Sequence, residues 1–212
     1  MKIKRLDMDS YPRIKHFEYF RSLHNPYAGV TANVDITELL AEIKSRKYAF
    51  FHTIIYLAVS AANQIPQLRQ RIEGDEIIEY EHCGASYTVA LEDGTYCHCR
   101  LDFNMPFKDF LEDAGKRQSL AIQDPSIEDV TETGSLYFVS SVPWVSYTGL
   151  TQPTPYPADS NPRITFGRFF IQDGRVLMPT TLLVNHALAD GKHIASFFEN
   201  LENEARTLDL LQ

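Results

Sequence analysis

The segment 163–185 constrains the fold more than any other part of the chain. Two stretches rich in β-branched and aromatic residues, 163–172 and 175–185, flank the dipeptide Asp173-Gly174. An Asp-Gly connection favours a type I′ turn, whose twist matches that of two antiparallel strands. The sequence therefore predicts a β-hairpin, and so apolar a hairpin needs a second layer of structure to cover it.

Helical spacing marks four further segments. One lies behind Asp35, a candidate N-cap, and a second, 53–65, is apolar around its whole circumference and stops before Pro66. The second is therefore predicted to be a central, buried helix, because only a helix covered on several sides can be apolar all round. A third stripe follows Pro106, and a fourth follows Asp190, which is well placed to cap it. The apolar positions of the first, third and fourth helices are Ile36, Leu39, Leu40 and Ile43, then Phe107, Phe110, Leu111 and Ala114, then Ile194, Phe197, Phe198 and Leu201.

Strand-like composition marks the segments 76–80, 85–91 and 95–102, which are predicted to be antiparallel, and also 135–145. Helices together with such strands indicate the α+β class, as a two-layer sandwich of a mixed, largely antiparallel sheet covered by helices. The length of 212 residues is below that at which one core normally splits, and the composition changes little along the chain. We therefore expect one domain, 1–212.

The segment 148–162 contains four prolines, which cannot donate the hydrogen bonds of a β-ladder. It is predicted to be a long ordered loop or a covering flap. Loops of this length are often functional.

Composition excludes several classes of protein. Twenty Lys and Arg against 28 Asp and Glu give a net charge of −8, the wrong sign for general binding to nucleic acid or to an anionic membrane. The first residues are charged where a signal peptide is apolar, and the longest apolar run is shorter than the ~20 residues that span a bilayer. Three cysteines cannot all pair within one chain and suit a reducing compartment. We expect a cytoplasmic protein with free thiols.

A metal site is not expected, although Cys97, His98 and Cys99 are adjacent. In a strand, Cys97 and Cys99 point to one face of the sheet and His98 to the other, so the three cannot converge on one ion.

His186 is the strongest candidate for a catalytic residue in the sequence. It follows a predicted buried strand, and Asp190 begins a helix four residues later. An imidazole has a reference pKa near ~6.5, so it can accept a proton near neutral pH if its neutral tautomer is held and aimed. The spacing alone equally fits a structural histidine next to a helix-capping aspartate.

A family resemblance bears on this choice. The sequence NHALADG before an amphipathic helix resembles the HHxxxDG signature of the chloramphenicol acetyltransferase family and its relatives in acyl-carrying dehydrogenase complexes. The resemblance extends along essentially the whole chain, through HFEYFR at 16–21, NVDIT at 33–37, IIYLAVSAAN at 54–63 and SSVPWVSY at 140–147. It implies the CoA-dependent acyltransferase fold in a stand-alone enzyme, without lipoyl or linker regions.

The resemblance also implies residue roles. His186 matches the general base that removes a proton from an acceptor hydroxyl, which then attacks the thioester of acetyl-CoA directly. Asp190 and Arg13 match an ion pair that holds the catalytic loop, and Thr165 matches a threonine that positions water near the tetrahedral intermediate. The Asp–Arg pair is therefore expected to support the site structurally.

Two positions depart from the family motif. Asn185 replaces the first histidine of the signature, which is not the family's base. The resemblance, counted from Ser146, places the family's oxyanion-stabilising serine at Gly149, so a hydroxyl is expected from Thr148 or Thr151, with Thr148 preferred. Removing one oxyanion donor typically costs about 10²–10³ in rate.

The substrate-binding positions also depart from the family. Phe20 replaces a family tyrosine, and His24 and Pro26 occupy positions that are apolar or cysteine in the best-known members. The other candidates for an aromatic acceptor pocket are Tyr19, Tyr96 and Tyr137. For CoA, Arg168 matches a basic contact, whereas a family lysine falls on Ala49, with Lys47 two residues away as a substitute.

Three functions remain open at this point. The first is acetyl transfer from acetyl-CoA to chloramphenicol or a similar aromatic alcohol, which would inactivate an antibiotic. The second is the same reaction on another acceptor, and the third is a trimeric ligand-binding relative with little turnover. The resemblance implies a homotrimer with sites at subunit interfaces.

Overall fold

The computed structural model describes residues 2–128 and 132–208. The strands are β1 (Ile3–Arg5), β2 (Tyr27–Asp35), β3 (Gln70–Glu73), β4 (Glu76–Tyr80), β5 (Gly84–Ala90), β6 (Tyr96–Leu101), β7 (Leu136–Val142), β8 (Arg163–Gly167), β9 (Phe170–Gln172) and β10 (Arg175–Asn185). The helices are α1 (Ile14–Arg21), α2 (Thr37–Arg46), α3 (Phe50–Asn63), α4 (Pro66–Arg69), α5 (Phe107–Gln123) and α6 (Gly191–Arg206), with a short 3₁₀ turn at Thr133–Ser135.

The predicted hairpin forms part of the main sheet. Strand β10 pairs antiparallel with β9 and then with β8, and Asp173 and Gly174 have φ of 51° and 76°, as a type I′ turn requires. The sheet continues in the order β2-β10-β8-β7-β5-β6. The hairpin prediction is confirmed.

The sheet is mixed because β7 runs parallel to both β5 and β8, whereas the other pairs are antiparallel. The predicted class of helices on a mixed, largely antiparallel sheet is confirmed. Strand β4 was expected beside β5, but it lies in a separate three-stranded sheet, between β1 and β3.

The predicted helices form, with shifted ends. Helix α3 begins three residues earlier than predicted, and α2 begins at Thr37, with Ile36 rather than Asp35 as its N-cap. Asp35 still binds the start of α2, because its Oδ1 accepts from the Thr37 N–H at 3.0 Å and from the Thr37 hydroxyl at 2.6 Å. Asp190 caps α6 as predicted.

The two faces of the main sheet differ chemically. Residues that alternate along its strands, such as Val139, Ile164 and Leu182, are buried in one core with helices α2, α3, α5 and α6. Cys97 and Cys99 join this core, so their side chains lie on the opposite face from His98. The intervening residues face away from the helices, and they carry the polar groups described below.

A smaller apolar cluster anchors the turn that follows β10. Ala187 and Leu188 of this turn are buried with Phe17 of α1 and Ile77 of β4. Residues of α1 and of the three-stranded sheet thus pack against the two residues that follow His186.

Within the described ranges, no helix is long and apolar enough to cross a bilayer, and no group of three or more His, Cys, Asp or Glu side chains could hold a metal ion.

Candidate active site

A row of hydroxyl groups crosses the helix-free face of the main sheet. Strand register places Thr31 opposite Thr181, Thr181 opposite Thr165, and Thr165 beside Ser140. The hydroxyls of Thr31 and Thr181 lie 2.7 Å apart, and those of Ser140 and Thr165 lie 2.8 Å apart. The row therefore forms two hydrogen-bonded hydroxyl pairs on four neighbouring strands.

Tyr147 packs over the middle of the row. Its hydroxyl donates to the Thr165 carbonyl at 2.7 Å and accepts from the Thr181 hydroxyl at 3.3 Å. Gly167 permits this approach, because a Cβ at that position would lie 2.9 Å from the Tyr147 ring. Tyr147 is thus hydrogen-bonded to Thr165 and Thr181, the two central residues of the row.

The segment 148–162, here called the strap, crosses the same face and separates two grooves. The first, the threonine groove, has a volume of about 410 Å³ and is lined by Thr31, Thr148 and Thr181, among others. The second, the serine groove, has a volume of about 310 Å³ and is lined by Ser86, Thr88, His98, Ser140 and Arg163, among others. Gln152 lines both grooves, and its Oε1 lies 3.3 Å from the Thr165 hydroxyl. The strap thus has the covering position expected of a flap.

The structure places Ser140, rather than Thr148, beside Thr165. Thr148 is exposed and lines the threonine groove, whereas Ser140 lines the serine groove with its oxygen in contact with the Thr165 hydroxyl. The expectation that Thr148 substitutes for an absent hydroxyl at Gly149 therefore does not fit this geometry. The position counted from the family motif follows the Pro143-Trp144 pair, whereas Ser140 precedes that pair, so the motif gave no signal for Ser140.

His186 lies in the turn after β10. Its ring stacks on Phe20 with the centroids 3.9 Å apart and the planes at 18°. Its Nδ1 lies 3.0 Å from the carbonyl oxygen of Ala189, so a hydrogen on Nδ1 is held there and Nε2 carries the lone pair. The backbone N–H of His186 also donates to the Pro26 carbonyl at 2.7 Å. Two contacts, the Phe20 stack and the Ala189 hydrogen bond, hold the ring in the tautomer that a base at Nε2 requires.

Asp190 ties the turn to α1 and to α6. One carboxylate oxygen accepts from the Arg13 guanidinium, and the other accepts from the Lys192 N–H at 3.1 Å. His193 completes a capping box, because its Nδ1 accepts from the Asp190 N–H at 3.1 Å.

The charge of Asp190 is stabilised by its partners. Burial acts to raise the pKa of Asp190, but the hydrogen bond and charge of Arg13, with the hydrogen bond from the Lys192 N–H, outweigh it and lower the pKa. Burial lowers the pKa of His193 despite the neighbouring carboxylate. The contact between Arg13 and Asp190 is present as expected, and its structural role stays a prediction.

Asp190→Asn is expected to lower stability and activity together. Arg13 and Asp190 are only 17% and 33% exposed, so losing one partner should cost an amount near the lower end of the roughly 3–5 kcal/mol typical of buried pairs. Because the folded pKa of Asp190 is lowered, this stability is present above its unfolded pKa and is lost as pH falls through the folded pKa. Chemical denaturation from neutral to acid pH measures the loss of stability and its pH dependence, and an activity assay of the same variant measures the loss of activity.

Glu202→Gln is the matched control, because it breaks the more exposed Arg206–Glu202 pair and should change stability little. Loss of activity by Asp190→Asn at unchanged stability would instead make the aspartate a proton relay.

The acceptor candidates divide into two groups. Tyr19 packs edge-on against Phe20, and His24 stacks on Tyr156 of the strap with centroids 5.0 Å apart, so both lie near the His186 turn. Tyr137, in contrast, is fully buried, with its hydroxyl 3.2 Å from the Asn63 Oδ1. The expectation that Tyr137 lines an acceptor pocket is corrected, because its ring lies on the helical face of β7.

Tyr96 lies on β6, at the opposite edge of the sheet from β2. It is half exposed and stacks on His98, which lines the serine groove. Within one chain, Tyr96 is therefore associated with the serine groove and not with His186.

The two basic CoA candidates lie near one aromatic contact. Phe50 at the start of α3 meets Phe169 with ring centroids 5.7 Å apart. Lys47 precedes Phe50 by three residues, Arg168 adjoins Phe169, and both basic side chains are exposed. Two exposed cations near one apolar contact suit a ligand that combines phosphates with an aromatic ring.

One chain keeps His186 far from Ser140. Thr181, which lies in the hydroxyl row, precedes His186 by five residues, and five residues of strand advance by roughly 17 Å. Ser140 lies two strands to the side, a further distance of about 10 Å. The Cα atoms of His186 and Ser140 are therefore roughly 20 Å apart, too far for both side chains to contact one carbonyl group.

Solved structures identify the fold. A chloramphenicol acetyltransferase superimposes with a TM-score of 0.83 at 23% identity, covering 96% of this chain and 99% of that one. The dihydrolipoamide acetyltransferase of Azotobacter vinelandii, solved in a study of a serine, a histidine and an asparagine in its catalytic mechanism, superimposes with a TM-score of 0.71 at 15% identity over 93% of this chain and 88% of its own. The fold is that of the CoA-dependent acyltransferases.

Sequence comparison narrows the class to one family. The family model "Chloramphenicol acetyltransferase" matches residues 1–202. The chloramphenicol acetyltransferase of Clostridium perfringens is 30% identical over 98% of this chain and 95% of its own, and that of Clostridium butyricum is 28% identical over 97% and 95%. The chain belongs to the chloramphenicol acetyltransferase family, and it is an enzyme of the acyltransferase class.

Proposed function

We propose that the protein transfers acetyl from acetyl-CoA to a hydroxyl of chloramphenicol or of a similar aromatic alcohol, with His186 as the general base. The observation that carries this proposal is the fixed His186 ring, whose Nδ1 is held by Ala189 and whose face is covered by Phe20. The other nitrogen, Nε2, is then the atom able to accept a proton from an acceptor hydroxyl.

Direct transfer needs one base and no covalent acyl-enzyme. Nε2 of His186 takes the hydroxyl proton while the oxygen bonds to the thioester carbon, which gives a tetrahedral intermediate. When the carbon–sulfur bond breaks, the CoA thiolate leaves and takes the proton back from the imidazolium. Lys47 and Arg168 are the basic side chains proposed to hold the phosphates of CoA.

The negative oxygen of the intermediate needs a hydrogen-bond donor, and Ser140 is the residue proposed for it. Its hydroxyl lines an open groove and lies 2.8 Å from the hydroxyl of Thr165, which is only 1% exposed. Such a preorganised donor stabilises the intermediate more than it stabilises the flat carbonyl group. With Ser140 present, Gly149 no longer gives a reason to expect a relative with little turnover.

Two half-sites in one chain imply a shared active site. We propose that His186 of one subunit meets the Ser140–Thr165 pair of the next, because roughly 20 Å separates them within a chain. A contact between two different surfaces repeats around a ring, and the homotrimer implied by family membership closes such a ring. Trp144, Val145 and Ile171 are exposed apolar side chains, which suits burial by a partner or by CoA.

Two features beside His186 support a second candidate acceptor. Phe20 has no hydroxyl for an antibiotic to bind, and His24 with Tyr156 adds polar groups beside the His186 turn. A different aromatic alcohol is therefore the second candidate, with the reaction unchanged.

A free-thiol assay tests the function. We expect CoA to be released from acetyl-CoA only when an acceptor is added, with chloramphenicol tried first and other aromatic alcohols after it. Release with another alcohol but not with chloramphenicol would select the second candidate. Absence of release with the whole panel, in a protein that still binds acetyl-CoA, would contradict acetyl transfer.

A further inference from the structure

Asn185 has both ends of its side chain committed to hydrogen bonds. It is 3% exposed and is the last residue of β10. Its Nδ2 donates to the Asp159 carbonyl at 2.9 Å, and its Oδ1 accepts from the Ala187 N–H at 3.0 Å. One end therefore contacts the strap and the other contacts the turn that contains His186.

The main chain of Asn185 supports the same turn. Its carbonyl accepts from the Leu188 N–H at 3.0 Å and from the Ala189 N–H at 3.1 Å. Ala189 in turn supplies the carbonyl that holds Nδ1 of His186. The main chain of Asn185 thus holds Ala189 on its N–H side, and the carbonyl of Ala189, in the next peptide group, binds Nδ1 of His186.

The strap end of this link is rigid. Arg163 donates two parallel hydrogen bonds to the Asp159 carboxylate, at 2.8 and 2.7 Å. The Tyr27 hydroxyl, opposite Asn185 in β2, lies 3.0 Å from the same carboxylate and accepts from the Asp159 N–H at 2.9 Å. Burial, together with the Asp159 charge, raises the pKa of Tyr27 to about 12, so the phenol keeps its proton.

We propose that Asn185 is a positioning residue whose side chain couples the strap, at Asp159, to the His186 turn, at Ala187. This inference rests on the proposed role of His186 as the base. It assigns a role to the position at which the sequence departs from the family signature: its amide joins the Asp159 carbonyl, which also accepts from the Tyr27 hydroxyl at 3.3 Å, to the buried N–H of Ala187. It also means that displacement of the strap at Asp159 disturbs the imidazole.

Asn185→Leu tests the proposal, since it removes both side-chain hydrogen bonds at similar volume. We expect kcat to fall by about 10²-fold, because a misplaced group of about 1 Å has an effect of that size, while KM for acetyl-CoA stays unchanged. The direct readout is nitrogen NMR of labelled histidine, with the His186 signal assigned by its absence in His186→Ala. The tautomer should shift from hydrogen on Nδ1 to a mixture.

Asn161→Leu is the matched control. Asn161 is 6% exposed and lies in the same strap, but its Nδ2 donates to the Thr133 and Leu136 carbonyls. This variant should lose thermal stability like Asn185→Leu, yet keep kcat and the His186 tautomer. An equal loss of kcat in both variants would reduce the role of Asn185 to stability and overturn the proposal.

A second variant, Asn185→His, keeps the proposal testable if Asn185→Leu does not fold. In Asn185→His, Nδ1 can accept from the Ala187 N–H, so most of kcat and the tautomer should return. If the folded Asn185→His and Asn185→Leu proteins both keep a wild-type tautomer and kcat, the proposal fails while the function stands. If His186→Ala keeps full activity, the proposed function fails, and the NMR result still decides whether Asn185 orients the ring.

Discussion

His186→Ala is expected to lower kcat by about 10²–10⁴-fold, the usual contribution of general base catalysis. The reason is geometric, since the Ala189 carbonyl and the Phe20 ring hold the imidazole in one tautomer and one orientation. Because the side chain acts on the transition state, KM for acetyl-CoA should change much less than kcat. Steady-state kinetics by thiol release measure both constants.

His16→Ala provides the control, because His16 is exposed on α1 and takes no part in the site. It should behave like the wild type. A His186→Ala enzyme that retains near-wild-type turnover, with any acceptor that proves active, contradicts the mechanism.

Ser140→Ala is expected to lower kcat by about 10²–10³-fold, as the loss of one oxyanion donor does. Thr148→Ala should have almost no effect, because Thr148 is exposed in the other groove. The pair of variants separates the two hydroxyls that could serve the intermediate. The same thiol-release assay, with thermal unfolding as a check of folding, gives the comparison.

The reverse ranking, with Thr148→Ala severe and Ser140→Ala mild, would return the oxyanion role to the strap. It would also require the strap to move in the complex, since Thr148 lines the threonine groove in this structure, whereas Ser140 is the side chain in contact with Thr165.

Local patterns in the sequence predict much of this fold. The β8–β10 hairpin, α5 and α6 follow from turn residues and apolar periodicity, which act over short stretches of chain. Strand β2 escaped prediction because its residues YAGVTANVD lack a strong pattern, and pairing of all nine with β10 stabilises it. Likewise, composition does not encode which sheet β4 joins, because β1 and β3 are chosen by tertiary packing.

The sequence predicts those site residues that lie close together in the chain. His186, Asp190 and the capping of α6 lie within a few residues of each other, whereas the Ser140–Thr165 pair depends on the register of two strands. Strand alternation was an available signal, because it places Tyr137 with Val139 toward the core and Ser140 on the other face. The same alternation argues against Tyr137 in an acceptor pocket and for Ser140 as a groove residue.

The central claim is that each active site combines His186 of one subunit with Ser140 of another, and mixing the two inactive variants tests it most directly. Co-expressed, differently tagged His186→Ala and Ser140→Ala chains are purified as mixed oligomers and assayed for thiol release. If sites are shared in a homotrimer, each mixed trimer has one interface in three that pairs an intact His186 with an intact Ser140. The mixed oligomers are therefore expected to show about a third of wild-type activity from two nearly inactive parents. Mixed oligomers no more active than either parent would show that His186 and Ser140 act within one chain or not at all, and would contradict the shared site.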